Sequence, residues 1–333
     1  MVDYSNVLFT SVSYRRNIKD MPFVKMLTDS ELAIGVSRSA SEIFGDKLEF
    51  KSLKNISLND CFILKEDGIF TDEIIDNKDI SAYGISDDKL SLVFINEQDH
   101  IKVEARSFGY NLEKCYTQAS ELDDKILEKL EVCFNNNLGY LTSNPYLVGT
   151  GMEIKVLLFL PALVMNKKIG KIEDELFNGA YELFMVTNEK YDYKSPFVIL
   201  KNKYTFGYKE SEFATNMQDL VNKILELETK EENSLFDLFA GGLADNIFRA
   251  YGILSSCYKI SYLEAEEKIG QMLWGIKLKM LKSKVKMNAL KILSSIMEYH
   301  LGQKLSIKEQ DKKRARILNT YILENIQKGV VDV

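Results

Sequence analysis

Apolar and polar positions change period partway along the chain. Leu92-Val93-Phe94-Ile95 is followed by four polar residues, Asn96-Glu97-Gln98-Asp99, and then by Ile101, Val103 and Ala105 in alternation. This reads as two strands joined by a tight turn, because alternation at period two lines one strand face with apolar groups. Further strands are expected at residues 33–36, 156–160, 181–186 and 197–200. Leu112, Cys115, Ala119, Leu122, Ile126 and Leu130 recur at steps of three and four instead, which predicts a long amphipathic helix. Asn135-Asn136-Asn137 follows as its stop signal. Strands with interspersed helices and a hairpin give an α+β fold rather than a doubly wound parallel sheet.

Beyond a charged stretch at residues 228–233 (ETKEEN) the strand signals fade. Ser261 with Glu264, and Ser306 with Glu309, have the S-x-x-E spacing that opens helices, and residues 285–300 supply another helix between them. The expected division is therefore a mixed domain over 1–230 and a helical domain over 234–333. Trp274, the only tryptophan, lies in a helical pattern with Ile269, Met272, Leu273 and Leu278, which gives it a packing role.

Composition narrows the function classes. Of 333 residues, 46% are hydrophobic and 28% charged, too apolar for disorder. The 43 basic residues are interleaved with 49 acidic ones for a net charge of −6, so no nucleic-acid footprint is expected. Residues 1–10 carry no signal-peptide pattern, and the most apolar run, residues 156–165 with Pro161 inside it, is too short to span a bilayer. A cytoplasmic protein without membrane association is the expectation. Cys61, Cys115, Cys133 and Cys257 have no C-x-x-C spacing and His100 and His300 are the only histidines, so neither a disulfide framework nor a metal site is expected.

Several motifs then occur in order. They are residues 96–100 (NEQDH), 138–151 (LGYLTSNPYLVGTG) followed by Leu160-Pro161-Ala162-Leu163, and 244–254 (ADNIFRAYGIL), with Arg16-Asn17 and Pro22-Phe23 upstream. Together they resemble the guanidino phosphotransferase superfamily of phosphagen kinases and bacterial protein-arginine kinases, over nearly the whole chain. The resemblance implies a phosphagen-kinase-like antiparallel sheet flanked by helices. It also implies a C-terminal helical domain of the dimerising, phosphoarginine-binding type.

Phosphoryl transfer needs cations around the phosphates and a group to orient the nucleophile. The family supplies arginines there, because guanidinium forks match phosphate oxygens. At the matching positions this chain has Ser11, Ser13, Lys102, Glu153 and Phe184. On the acceptor side, Gln98 stands for a carboxylate and Asn144 for a reactive cysteine, while Glu189 is the candidate surviving carboxylate. Gly149-Thr150-Gly151 remains, but a glycine turn is equally a folding requirement.

A degenerate member follows as the expectation: a pseudokinase without cofactor, acting on protein partners in a bacterial stress-response or quality-control system. Those partners are arginine-phosphorylated proteins or an active kinase homologue, and a homodimer through the helical domain is implied. The family's R-D-x-x-R-A phosphoarginine motif reads Gln310-Asp311-Lys312-Lys313-Arg314-Ala315 here. Asp311 and Arg314 share a helix face, suited either to phosphoarginine or to a plain surface ion pair. The alternative is an active protein-arginine kinase with a rebuilt site that uses ATP and magnesium, for which Lys155, Lys190 and Lys194 are available cations.

Overall fold

Alternation along the strands sends one set of side chains to each face of a single sheet, and the two faces differ in kind. The computed structural model of the chain describes residues 2–27, 30–176, 178–188 and 193–329. The sheet contains β1 (Val7–Arg16), β2 (Glu49–Ser52), β3 (Ala82–Ile85), β4 (Ser91–Ile95), β5 (Ile101–Phe108), β8 (Met152–Phe159), β9 (Tyr181–Asn188) and β10 (Tyr193–Asn202). Its order is β2-β3-β4-β5-β1-β8-β10-β9, with every neighbouring pair antiparallel. β6 (Phe134–Asn135) and β7 (Gly139–Tyr140) form a separate small hairpin.

One face is wholly apolar. Val12, Tyr14, Val93, Val103, Ile154, Val156 and Val198 pack there against α1 (Ser30–Phe44), α4 (Leu112–Lys129), α6 (Ile169–Leu176) and the first half of α7 (Glu210–Ser256). The expected stripe of α4 forms this contact; a side chain such as Ile126, fully buried, contributes about 2 kcal/mol. The opposite face is divided. At one end Leu92 and Phe94 carry α2 (Leu58–Glu66) and α3 (Asp72–Asp76). At the other, Leu157, Phe159 and Phe197 carry a helical domain made of the second half of α7, α8 (Tyr262–Lys277), α9 (Ala289–Ser295) and α11 (Ile307–Asn325). The middle of that face is polar.

Three expectations need correction. Residues 33–36 are helical, not a strand: Ala33, Val36, Ala40 and Phe44 are buried at helical spacing while Leu32 and Ile34 are exposed. Residues 285–300 do not make one helix, because Asn288 caps α9 and a turn separates it from α10 (Glu298–Leu301). Strand structure also persists late in the chain, since β11 (Leu281–Ser283) pairs with β12 (Ile326–Lys328). Of the two S-x-x-E pairs, Ser306 and Glu309 cap α11 reciprocally, whereas Ser261 caps α8 through its own hydroxyl.

The charged stretch 228–233 is not a loop. α7 runs through it for 47 residues, interrupted only by non-helical Phe239 (φ −147°). Its carboxylates are buried and used. Glu228 accepts the N–H groups of Ala162 (2.8 Å) and Leu163 (2.9 Å) at the start of α5 (Pro161–Met165). Glu231 accepts from Asn166 (2.7 Å) and Lys168 (2.6 Å), and Glu232 accepts from the Trp274 indole and from Lys277, both at 2.7 Å.

Candidate functional site

The polar middle of the sheet face follows from strand register. On β1 the residues Ser11, Ser13 and Arg15 alternate with the core residues Val12 and Tyr14. On β5, Lys102, Glu104 and Arg106 alternate with Ile101, Val103 and Ala105. Pairing sets Ser11 between Arg106 and Lys155, Ser13 between Glu104 and Glu153, and Arg15 opposite Lys102. Four of the five positions expected to face phosphate, Ser11, Ser13, Lys102 and Glu153, are thus brought together. Phe184, on β9, is on the same side two strands further out, opposite Ile199 of β10, and is 58% exposed.

Between these positions runs a lattice of ion pairs. Arg15 Nη1 is 2.6 Å from Glu97 Oε2, and Lys102 Nζ lies 3.5 Å from Glu97 and 3.1 Å from Glu104. Arg106 Nε is 2.6 Å from Glu104, Lys155 Nζ 2.8 Å from Glu153, and Lys201 Nζ 3.1 Å from Glu182. Burial pushes the Glu97 carboxyl up, but Lys102 and Arg15 overcome that and hold it at about 2. Glu153 likewise lies below the usual carboxylate range, because Lys155, Arg15 and Lys102 outweigh its burial. The reciprocal effect of Glu153 and Glu104 raises Lys155 against the opposing effect of its own burial. Each lattice cation therefore has a carboxylate partner, and the lattice is deepest at β1 and β5, where Lys102, Glu104, Arg106 and both serines are buried.

Position by position the sequence shows only losses, and this compensation between strands is invisible in it. Arg15, Glu97, Glu104, Arg106, Glu182 and Lys201 carry as much of the lattice as the positions singled out. The available signal was period two: Lys102-x-Glu104-x-Arg106 and Glu153-x-Lys155 place alternating charge on the face opposite an apolar one.

The motif segments meet at the end of β1. Asp99 Oδ1 accepts from Asn17 Nδ2 and from the Ser143 N–H, each at 2.6 Å, which ties the 96–100 turn to the 138–151 segment. His100 is structural here: its Nδ1 accepts the Ile18 N–H at 3.0 Å and its Nε2 lies 3.0 Å from the Pro22 carbonyl. Gln98 sits half-buried in that turn. Asn144 caps a single 3-10 turn, Pro145–Leu147, by accepting the Tyr146 N–H. Gly151 has φ +68°, and a Cβ there would lie 2.5 Å from Arg16 Nη1 and 2.7 Å from the Arg15 carbonyl, so the glycine is a packing requirement. Glu189 and Lys190 lie outside the described residues. Lys194 lines a cleft of about 980 Å³ with Pro161, Pro196, Leu243 and Trp274, none of them a lattice residue.

Asp311 and Arg314 do share a face of α11, 2.6 Å apart, but Arg314 is buried rather than presented. Its Nε donates to the Ile296 carbonyl and its Nη1 to the Ile260 carbonyl, each at 2.9 Å. Gln310 Nε2 is 3.4 Å from the Gly302 carbonyl and Lys313 Nζ donates to the Leu301 carbonyl at 2.7 Å. In this arrangement the motif sews α11 to the loops beside it.

Comparison with known proteins agrees with the architecture. Residues 35–231 match the family described as ATP:guanido phosphotransferase, C-terminal catalytic domain, and residues 240–329 match the protein-arginine kinase McsB C-terminal domain. The chain is 30% identical to a protein-arginine kinase of Clostridium botulinum over 332 residues, covering 96% of each chain. It is 27% identical to the protein-arginine kinase of Brevibacillus brevis, covering 95% of this chain and 91% of that one. Among solved structures, the duplicated taurocyamine kinase of Schistosoma mansoni superposes with a TM-score of 0.60 at 23% identity, over 78% of this chain and 39% of that one. A lombricine kinase superposes with a TM-score of 0.59 at 19% identity, over 71% and 70%. At those identities the structures speak for the fold, while the family matches and the curated relatives speak for descent. The chain belongs to the ATP:guanido phosphotransferase superfamily and, within it, to the bacterial protein-arginine kinase family.

Proposed function

We propose that this chain is a protein-arginine kinase homologue that acts by binding proteins and transfers little or no phosphate from ATP. The observation that carries this reading is the pairing of Arg15, Lys102, Arg106, Lys155 and Lys201 with carboxylates on the face where phosphate-facing arginines are expected. The residues present do not fit a triphosphate. Ser11, Ser13 and Phe184 bring no cation, and Glu153, whose bare repulsion of a unit phosphate charge 4 Å away is about 4 kcal/mol at an effective dielectric of 20, offsets the attraction of its partner Lys155. Partners on this reading are proteins, either arginine-phosphorylated ones or an active kinase homologue, within a bacterial quality-control system, and self-association runs through the helical domain. No helix among the described residues is long and apolar enough to cross a membrane.

A second reading has its own support. The curated relatives cited above are named protein-arginine kinases, which favours an active enzyme with ATP and magnesium held by a rebuilt site. One experiment separates the two. A ligand at one hundred times its Kd adds about 2.7 kcal/mol to stability. No change in melting temperature with millimolar ATP and magnesium, together with no phosphoarginine formed on a protein substrate, is the outcome expected of the first reading. ATP-dependent arginine phosphorylation by the pure protein would replace it with the second.

A further inference from the structure

The helical domain meets the rest of the chain in two unlike places. The first is deep: Trp274 and Lys277 on Glu232, Ser195 on Glu266, and the helical core on Phe159 and Phe197. The second is a small contact at the far end of the domain. The Phe62 ring of α2 stacks on Tyr299 of α10, with centroids 4.4 Å apart and planes 16° apart. Glu66 accepts the N–H groups of Tyr299 (2.9 Å) and His300 (3.0 Å), capping α10 from 233 residues away. His300 Nε2 lies 3.0 Å from Asp67 Oδ1, with the two side chains 25% and 37% exposed.

A short covalent path leads from this contact to the charged lattice. Gly68 (φ +69°) turns the chain at the end of α2, and Lys65 pairs with Asp72 across that turn, bracing α2 on α3. Thr71, five residues beyond Glu66, donates its hydroxyl to Glu97 Oε1 at 2.9 Å. Glu97 is the carboxylate that holds both Arg15 and Lys102. Cys61, Phe70 and Ile74 give the α2–α3 lobe its own small core, seated on Leu92 and Phe94.

We propose that α2 and the turn after it form a strap that couples the position of the helical domain to the hydrogen bond on Glu97, and so to the order of the charged face. The deep contact fixes the domain, and the half-exposed contact on α10 is the one that opens. When α10 lifts from Phe62 and Glu66, the lobe loses its outer support and Thr71 leaves Glu97. A protein that engages the helical domain at α10 would thereby change the lattice about Arg15 and Lys102. The strap depends on strand and helix geometry and not on nucleotide, so it stands apart from the reading above.

Hydrogen exchange on the full chain tests it. In Tyr299→Ala, exchange is expected to quicken at least threefold over residues 58–76 and also over 95–104, with 154–160 and 213–228 at wild-type rates. A rise confined to 58–67 and 298–301, or one shared by 154–160, overturns the strap. If Tyr299→Ala does not fold, Glu66→Gln is read the same way: faster exchange at 95–104 supports the strap, and none overturns it. Coupling is reciprocal. Thr71→Val is therefore expected to quicken exchange at 298–301, and unchanged rates there count against the proposal.

Discussion

Glu97 is the carboxylate on which the lattice turns, and its replacement by glutamine gives the sharpest test of the electrostatics. It is 1% exposed, accepts from Arg15 and Thr71, and lies 3.5 Å from Lys102. Its carboxyl falls from a usual 4.5 to about 2, because two cations outweigh its burial. A carboxyl lowered in the fold stabilises the native state fully above its unfolded value and loses that contribution as pH falls toward the folded one. The drop corresponds to about 3 kcal/mol at pH 7 and to roughly half of that at pH 3. Glu97→Gln removes this contribution and leaves Arg15 and Lys102 short of a partner. Urea unfolding of both proteins at pH 7 and pH 3 reads it directly: a gap of about 3 kcal/mol should shrink by about half. A gap that is the same at both pH values, or below about 1 kcal/mol at pH 7, would refute the view that ion pairing rather than packing gives Glu97 its role.

Glu228 is expected to behave with the opposite sign. Burial pushes its carboxyl up to about 7 in spite of two backbone donors, so folding takes up a proton and stability should fall by up to about 3 kcal/mol as pH rises from 4.5 to 7. Thermal melts of wild type and Glu228→Gln across pH 5–8 check this, and a wild-type slope that survives the substitution counts against it. Arg314→Ala strips donors from two carbonyls and from Asp311, and a loss of about 3 kcal/mol or more in chemical denaturation is expected; less than about 1 kcal/mol would return Arg314 to the surface. Trp274→Phe keeps the packing but takes the indole donor from Glu232, a cost of about 1–2 kcal/mol by the same assay, and an unchanged midpoint would show that Lys277 alone suffices.

Periodic segments were legible in the sequence because their information is local. Leu112 to Ile126 repeats at helical spacing over several turns, and the stripe it defines is the buried one. Residues 33–36 fit either period, because three apolar residues around Gly35 are too few to fix one, and the decisive positions, Ala40 and Phe44, lie outside so short a window. Sheet order was not legible: nothing in β1 itself says that β5 and β8 flank it. Without that register Ser13 looks like a lone loss, whereas beside Glu104 and Glu153 it is a small spacer in a charged network. Arg314 shows the same division. Its spacing from Asp311 was plain, but its burial depends on carbonyls 18 and 54 residues away.

α7 has a consequence for how the chain comes apart. Residues Glu228 and Glu232 lie one turn apart, yet the first is closed by α5 and the second by α8. Unravelling either half strands a carboxylate whose donors belonged to that half. The two family segments, which end at 231 and begin at 240, are thus joined through α7, which kinks between them at Phe239, and are held together by these carboxylates as well as by the backbone. They are expected to melt in a single cooperative transition, and neither is a module that recombination can lift out intact.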